Sequence, residues 1–232
     1  SGDRALNAYD LHAVEQALRI KESAGDGEVV LVSMGPPKAL ESLRKALGMG
    51  ADRALLVSDE AAVGSDLVAT SKVLAAALAA ESPDLVLFGQ QATDGDGAVL
   101  WAAVADRLRM PVVSQISELE VAEGTATAKR QSENGYDLIS TPLPAVLAVA
   151  DSLNEPRYPS LKGIMGAKKK PQETKSLADV GVDAGDAGQA GSRTTVVALG
   201  EPPSRGDTVK VEDEGGSGAQ AILDFLMERK LV

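Results

Sequence analysis

The sequence lacks cysteine entirely, and His12 is its only histidine among 232 residues. Without thiols the chain cannot form disulfides, iron–sulfur clusters or thiolate metal sites. Aromatic residues make up only 3% of the chain, which disfavours base stacking as a way of binding nucleic acid. No Ser-His-Asp grouping, nucleophile elbow or His-Glu-x-x-His motif is present. We therefore expect neither a catalytic residue nor a metal site on this chain.

Long apolar runs and positive charge are also scarce. The longest purely apolar run, residues 73–80, is far shorter than the ~20 residues that span a bilayer, and no signal-peptide pattern opens the chain. The net charge of −11 repels phosphate backbones and anionic lipid surfaces. These features predict a cytoplasmic protein with no membrane insertion and no nucleic-acid partner.

Strand and helix patterns alternate along the first half of the chain. Apolar residues at helical spacing predict a helix over residues 10–22 with Asp10 as its N-cap, and the β-branched run 28–33 is typical of a strand buried in a parallel sheet. The remaining strand patterns cover 54–57 and 85–88, and the remaining helix patterns cover 38–49, 66–81 and 97–108. This order predicts an α/β fold with a doubly wound, mainly parallel sheet.

The pattern changes after Val112. Four short strands are predicted at 118–121, 125–130, 136–140 and 145–150, with turns between them, and they indicate an antiparallel extension. Residues 171–216 are rich in Gly, Asp, Ser, Thr and Lys, and within them only 194–199 has a strand pattern; an amphipathic helix follows over 219–229. We therefore predict a domain over 1–170 and an extended C-terminal arm over 171–232, with a disordered linker as the alternative.

A glycine-rich loop follows the predicted strand 85–88 at the carboxyl edge of the sheet, where α/β folds bind ligands. Its backbone amides and the start of the next helix suit a phosphate. Asp94 and Asp96 would repel a phosphate, so they are better suited to capping the helix or binding ribose hydroxyls. An ordinary strand-to-helix turn explains the same residues equally well.

A proline-bracketed segment between residues 154 and 165 has the pattern of a docking loop. Pro156 and Pro159 restrict the backbone, apolar side chains follow, and a basic run closes the segment at 168–170. Its residues are Asn154, Glu155, Pro156, Arg157, Tyr158, Pro159, Ser160, Leu161, Lys162, Gly163, Ile164 and Met165.

This segment closely resembles the loop that ends the folded core of the electron transfer flavoprotein β subunit, and the resemblance extends over residues 3–170. It implies a heterodimer with an α subunit that binds most of the FAD and is wrapped by the arm, and a structural AMP on this chain. It also implies that flavin dehydrogenases such as acyl-CoA dehydrogenases dock through Leu161, and that electrons pass on toward a quinone reductase, as in fatty acid oxidation.

The resemblance assigns the AMP to three separate segments. They are Asn7, Ala8, Tyr9 and Asp10; Met34; and Gly89, Gln90, Gln91, Ala92, Thr93, Asp94, Gly95, Asp96, Gly97, Ala98, Val99 and Leu100. Tyr9 is similar to an aromatic position near the flavin, although packing at the start of a helix is an equal role for it. The family fold opens with a strand before this helix, and residues 1–4 supply none, so we expect a segment to be missing at the N-terminus.

Two alternatives remain open. A bifurcating relative would hold a second FAD in place of AMP and oxidise NADH. A non-redox, ATP-binding module of the stress-protein type would share the sheet and the adenine pocket and act by binding and self-association.

Overall fold

The computed structural model describes residues 6–93, 95–200, 210–213 and 215–232. Its helices are α1 (Ala8–Ala24), α2 (Leu40–Met49), α3 (Leu67–Glu81), α4 (Leu100–Leu108), α5 (Leu161–Ala167), α6 (Gly188–Gly191) and α7 (Ser217–Glu228). Its strands are β1 (Val30–Met34), β2 (Arg53–Val57), β3 (Leu85–Gly89), β4 (Val112–Ala122), β5 (Thr125–Ser132), β6 (Gly135–Pro142), β7 (Ala145–Val149) and β8 (Gln172–Lys175). Residues 1–4, where we expected no strand, lie outside the described residues.

The strands form two sheets, one with the order β1-β2-β8 and one with the order β3-β7-β4-β5-β6. The first sheet is parallel throughout, and in the second β7 runs parallel to both β3 and β4. Helices follow β1, β2 and β3 in the chain, as the alternating patterns predicted. The predicted α/β class with a mainly parallel sheet is therefore confirmed.

The core is built from small and branched aliphatic side chains. The central strands β2 and β7 are almost wholly buried, and Leu47, Leu56 and Leu147 have no exposed surface. The alanine-rich helix α3 supplies buried Val73 and Ala77. Burial of strands on both faces explains why their sequences are continuous apolar runs rather than alternating ones.

The antiparallel extension consists of β4, β5 and β6. The prediction was wrong in placing residues 145–150 within it, because β7 pairs in parallel with β3 and β4 and completes the core sheet. Helix α4 begins at Leu100, three residues later than predicted. Asp66 caps α3 as an N-cap, whereas the N-cap of α1 is Asn7 and Asp10 lies in its first turn.

The compact unit that contains both sheets extends to Thr195, beyond the predicted boundary at residue 170. Strand β8 pairs with β2, and the apolar residues that follow it, Leu177, Val180, Val182 and Ala187, lie in the core. Residues 194–199 form no strand, contrary to the prediction. The second unit, residues 196–232, contains α7, whose Ile222 and Phe225 are exposed.

Candidate functional site

The start of α1 meets the end of β3, and so joins two of the predicted ligand-binding segments. Asn7 Nδ2 donates to the carbonyl oxygen of Gln91 at 2.8 Å and to Asp10 Oδ2 at 3.0 Å. The backbone N–H of Gly89 donates to Asp10 Oδ1 at 2.9 Å. Segments about 80 residues apart in the sequence thus meet at the carboxyl end of the sheet, where α/β folds bind ligands.

Gly89 is required by the closeness of this contact. A Cβ at residue 89 would lie 2.5 Å from the carbonyl carbon of Tyr9 and 2.7 Å from the backbone nitrogen of Asp10. No side chain larger than hydrogen fits there unless α1 moves. The glycine therefore sets the distance between α1 and the carboxyl end of β3.

The side chain of Asn7 offers a buried hydrogen-bond acceptor at this edge. Its Oδ1 is buried and has no hydrogen-bond partner among the described residues, while its Nδ2 is fully used. A buried acceptor without a donor is rare in proteins and costs free energy. An N–H or O–H group of a bound ligand would satisfy it.

The loop from Gly89 to Val99 is stabilised largely by its own contacts. Trp101 Nε1 donates to the carbonyl oxygen of Gln90 at 3.0 Å, and Gln91 Nε2 donates to Asp96 Oδ1 at 2.7 Å. The backbone N–H groups at 98, 99 and 100 donate to the carbonyl oxygens of Asp96 and Gly97. These three amides are thus engaged within the loop, which differs from the expectation of free amides; Asp94 lies outside the described residues.

The other predicted nucleotide contacts lie close to this edge in two different settings. Tyr9 is half-buried in the first turn of α1, beside Gly89. Met34, at the end of β1, packs in an apolar cluster that also includes Phe88, Leu100 and Trp101. Met34 thus contributes apolar surface next to the residues that flank the loop. None of the described hydrogen bonds joins Met34 to Asn7.

The predicted docking segment is anchored on the flank of α1. The carbonyl oxygen of Asn154 lies 2.9 Å from His12 Nδ1, and Asn154 Nδ2 donates to the carbonyl oxygen of His12 at 3.0 Å. Arg157 pairs with Glu15 and Glu22 of the same helix. His12 is thus half-buried and in contact with Asn154, and Arg157 is held by two carboxylates of α1.

The second half of the docking segment is a helix and not the predicted loop. Ser160 caps α5 by accepting a hydrogen bond from the N–H of Gly163 at 3.0 Å. Gly163 packs directly against Gly48 of α2. Lys170 Nζ donates to the carbonyl oxygens of Leu47 at 2.9 Å and Ala51 at 2.5 Å, so this lysine of the basic run satisfies the end of α2.

Large apolar side chains project from this anchored segment into solvent. Tyr158 is 94% exposed and Leu161 is 82% exposed, and Ile164 and Met165 are also exposed. Leu161 and Met165 are four residues apart in α5 and therefore lie on one helix face. A fixed helix that presents apolar side chains to water is typical of a protein-docking surface.

The sequence did not indicate that Glu15 and Lys170 hold the docking segment and its basic run against the core. The signal for Glu15 is its position, together with Gln16, between the apolar residues Val14 and Leu18, which are buried in α1. Nothing local marks Lys170, because its carbonyl partners belong to a helix end about 120 residues earlier.

Metal-binding clusters and membrane-spanning helices are both absent from the part of the chain that the structure describes. The described residues contain no group of three or more His, Asp or Glu side chains placed to hold a metal ion. None of the described helices has the length and apolarity needed to cross a membrane.

The chain is similar to one group of known proteins along most of its length. Residues 1–180 match a family model described as the electron transfer flavoprotein domain. The chain is 37% identical over 237 residues to an electron transfer flavoprotein subunit beta of Mycobacterium tuberculosis, covering 100% of this chain and 89% of the relative. It is 42% identical over 202 residues to caffeyl-CoA reductase-Etf complex subunit CarD of Acetobacterium woodii, covering 87% of this chain and 77% of that relative.

Proposed function

Because the chain belongs to the electron transfer flavoprotein β-subunit family, we propose that it forms the β subunit of a heterodimeric electron carrier. In this proposal flavin dehydrogenases, such as the acyl-CoA dehydrogenases of fatty acid oxidation, dock on the surface at residues 158–165. Electrons then pass on toward a quinone reductase. The α subunit is the permanent partner and is contacted by the C-terminal arm.

The observation that carries this proposal is the exposed apolar surface on a fixed scaffold. Leu161 and Met165 project from α5, while α1 and α2 hold the segment on either side. An exposed anchor that enters a partner pocket contributes much of the affinity of a transient complex. An electron carrier needs such reversible docking and no catalytic side chains of its own.

We propose that the site at the start of α1 binds an adenine nucleotide, AMP. The buried, unpartnered Asn7 Oδ1 supplies an acceptor, and Gly89 and Gln91 hold the asparagine and α1 in place. Helix α4 contributes the positive end of its dipole at the same edge, because it follows β3. Tyr9, beside Gly89, is proposed as the residue of this chain nearest the flavin.

The redox chemistry belongs to FAD, which we propose is bound mostly by the α subunit. When bound, FAD accepts and releases electrons, whereas AMP supplies structure only. The role of this chain is then to hold the adenine nucleotide, to position the dehydrogenase and to pair with the α subunit.

A first experiment measures the nucleotide content of the complex. The chain is co-expressed with the α subunit, the purified complex is denatured, and the released nucleotides are quantified by chromatography. One FAD and one AMP per heterodimer would support the simple electron carrier. No AMP and no FAD would contradict the proposal.

A second experiment tests the docking surface. Leu161→Ala should lower kcat/KM for electron transfer from an acyl-CoA dehydrogenase by about 30-fold, the loss typical of a hot-spot residue worth about 2 kcal/mol. Val63→Ala removes an exposed aliphatic side chain elsewhere and should leave electron transfer unchanged. An unchanged rate for Leu161→Ala would contradict the docking role.

A bifurcating β subunit is the second candidate, with a second FAD in place of AMP and NADH as donor. The observation that favours it is the 42% identity to a subunit of the caffeyl-CoA reductase-Etf complex. Two FAD per heterodimer in the nucleotide measurement would select this candidate. The non-redox stress-protein alternative loses its support, because the family match covers residues 1–180.

A further inference from the structure

Glu15 is a carboxylate buried to 3% exposure on the flank of α1. Its Oε1 accepts hydrogen bonds from Arg19 Nε at 2.7 Å and from Arg157 Nη2 at 3.2 Å. Its Oε2 accepts from Arg157 Nε at 2.7 Å and from the Arg157 backbone N–H at 3.1 Å. Burial raises the pKa of Glu15, but the hydrogen bonds from Arg157 and Arg19 together outweigh burial and lower it.

Arg157 has a second partner that is far more exposed. Its Nη1 donates to Glu22 Oε1 at 2.5 Å and its Nη2 donates to Glu22 Oε2 at 3.0 Å. Glu22 is 57% exposed, and ion pairs in water contribute little because solvent screens them. Glu15 is therefore the partner that fixes Arg157, both by its burial and by its bond to the Arg157 backbone.

The docking segment is also held to the core on both sides of Arg157. On the N-terminal side of Arg157, Asn154 is hydrogen-bonded to His12. On the C-terminal side, Gly163 packs on Gly48. Between these anchors lie the exposed side chains of Tyr158 and Leu161. A surface that is ordered before its partner arrives avoids part of the entropy cost of binding.

We propose that Glu15 is a positioning residue for the docking surface: through Arg157 it sets the place of Tyr158 and Leu161, without itself contacting the dehydrogenase. The inference rests on the proposed function, because it concerns docking of dehydrogenases. A carboxylate is required, since its two oxygens accept four hydrogen bonds. A glutamine would offer one acceptor oxygen and would turn its NH₂ group toward the guanidinium.

The test is Glu15→Gln in the complex with the α subunit, with two measurements. Hydrogen–deuterium exchange of the amides in residues 154–165 should become faster, on the order of tenfold, because the Arg157 anchor is weakened. The KM for an acyl-CoA dehydrogenase as electron donor should rise on the order of tenfold, while kcat at saturating dehydrogenase stays unchanged, because the apolar anchors remain but must be ordered on binding.

Glu81→Gln is the matched control. Glu81 is a largely buried carboxylate, 14% exposed, that pairs with Arg53 outside the docking segment. The Glu81→Gln variant should change neither the hydrogen–deuterium exchange of residues 154–165 nor the KM for the dehydrogenase. Arg157→Gln should change the exchange and the KM in the same direction as Glu15→Gln, because both remove the side-chain pair, and the double variant should change them by less than the sum of the two single variants. If Glu15→Gln fails to fold, Arg157→Gln carries both measurements.

Two results would overturn the proposal. One is unchanged exchange in residues 154–165, and the other is faster exchange with an unchanged KM. Failure of the proposed function has a different signature: Leu161→Ala would leave electron transfer unchanged, whereas the exchange measurement on Glu15→Gln does not depend on any dehydrogenase.

Discussion

Gly163 of α5 lies so close to Gly48 of α2 that a Cβ on Gly163 would collide with the carbonyl oxygen of Gly48. The same hypothetical Cβ would also lie 3.2 Å from Ser160 Oγ, the cap of α5. Gly163 thus allows two helix backbones to touch, whereas a Cβ at Gly48 would make only ordinary van der Waals contacts with Pro159 and Ile164. This contact, and not helix propensity, holds α5 in place, because glycine is a poor helix former.

Gly163→Ala should therefore destabilise the chain by about 1–3 kcal/mol, as overpacking of a tight contact does. Gly166, in the same helix, has open space where its Cβ would be, so Gly166→Ala should stabilise by about 0.5–1 kcal/mol through helix propensity alone. Chemical denaturation of the two variants measures the difference. Equal stabilities would show that the Gly163–Gly48 contact does not hold α5.

Asn7→Ala should reduce the AMP content of the purified complex, with at least a tenfold weaker affinity, equivalent to about 1.4 kcal/mol. The variant removes both the buried Oδ1 and the Nδ2 bond to Gln91. Loss of helix capping does not enter, because the Asn7 side chain makes no cap hydrogen bond. Calorimetric titration with AMP measures the affinity.

Asn134→Ala, in the turn between β5 and β6, is the control for Asn7→Ala and should retain full AMP content. Unchanged AMP affinity in Asn7→Ala would place the nucleotide elsewhere.

Asp66 predicts a pH dependence. Its carboxylate accepts hydrogen bonds from the N–H of Ala69 at the start of α3 and from the N–H groups of Arg193 and Thr194. These bonds, the one from Ala69 first, hold the pKa of Asp66 well below its ordinary value. A lowered pKa means that the stabilisation is present above the pKa of the unfolded chain, about 3.9, and is lost as pH falls through the lower folded value.

Asp66→Asn should accordingly destabilise the chain at pH 6, and the difference from the parent should shrink as the pH falls from 5 to 3. Urea titrations at several pH values measure this. Asp106→Asn, on an exposed position of α4, serves as control and should change stability little at any pH. A difference for Asp66→Asn that is constant with pH would contradict the assignment.

Charge around the docking segment predicts a salt dependence. From 157 to 170 the chain has five cationic residues, Arg157, Lys162, Lys168, Lys169 and Lys170, and no acidic one, although its net charge is −11. We expect the KM for a dehydrogenase to rise several-fold between about 50 and 300 mM salt, because screening weakens attraction between exposed charges. Lys162→Gln should flatten this dependence, whereas Arg109→Gln, outside the segment, should not. An identical salt dependence in both variants would contradict the expectation.

The parallel core was predictable from local pattern, because strands buried on both faces require continuous apolar runs such as residues 28–33. The helix α5 was not predictable, since Gly163 and Gly166 and two nearby prolines all favour a loop. Its stability comes from α2, more than 100 residues earlier. Likewise Leu177 and Val180 follow no helical or strand period, so only the folded chain shows that they are core residues.

The candidate nucleotide site was predicted as three segments, and the structure brings two of them into direct contact through Asn7 and Gln91. The spacing of residues could not show that the amides at 98–100 are engaged within their own loop, because those bonds depend on backbone angles. The role of Glu15 was hidden for a related reason: its partner Arg157 lies 142 residues away.

Strand β4 changes partners along its length, from parallel β7 to antiparallel β5, and Gln115 lies at the irregularity with a φ of 54°. Adjacent buried pairs lie on both sides of Gln115, at 113–114 and 116–117, and each accompanies a shift in register, the first against β7 and the second against β5. The extra residue at this point is therefore what β4 has in excess of its partner β7, since three steps from Val113 to Ile116 face two steps from Leu147 to Val149. Deleting Gln115 would make the pairing with β7 regular, and Leu119 and Val121 would keep their present faces.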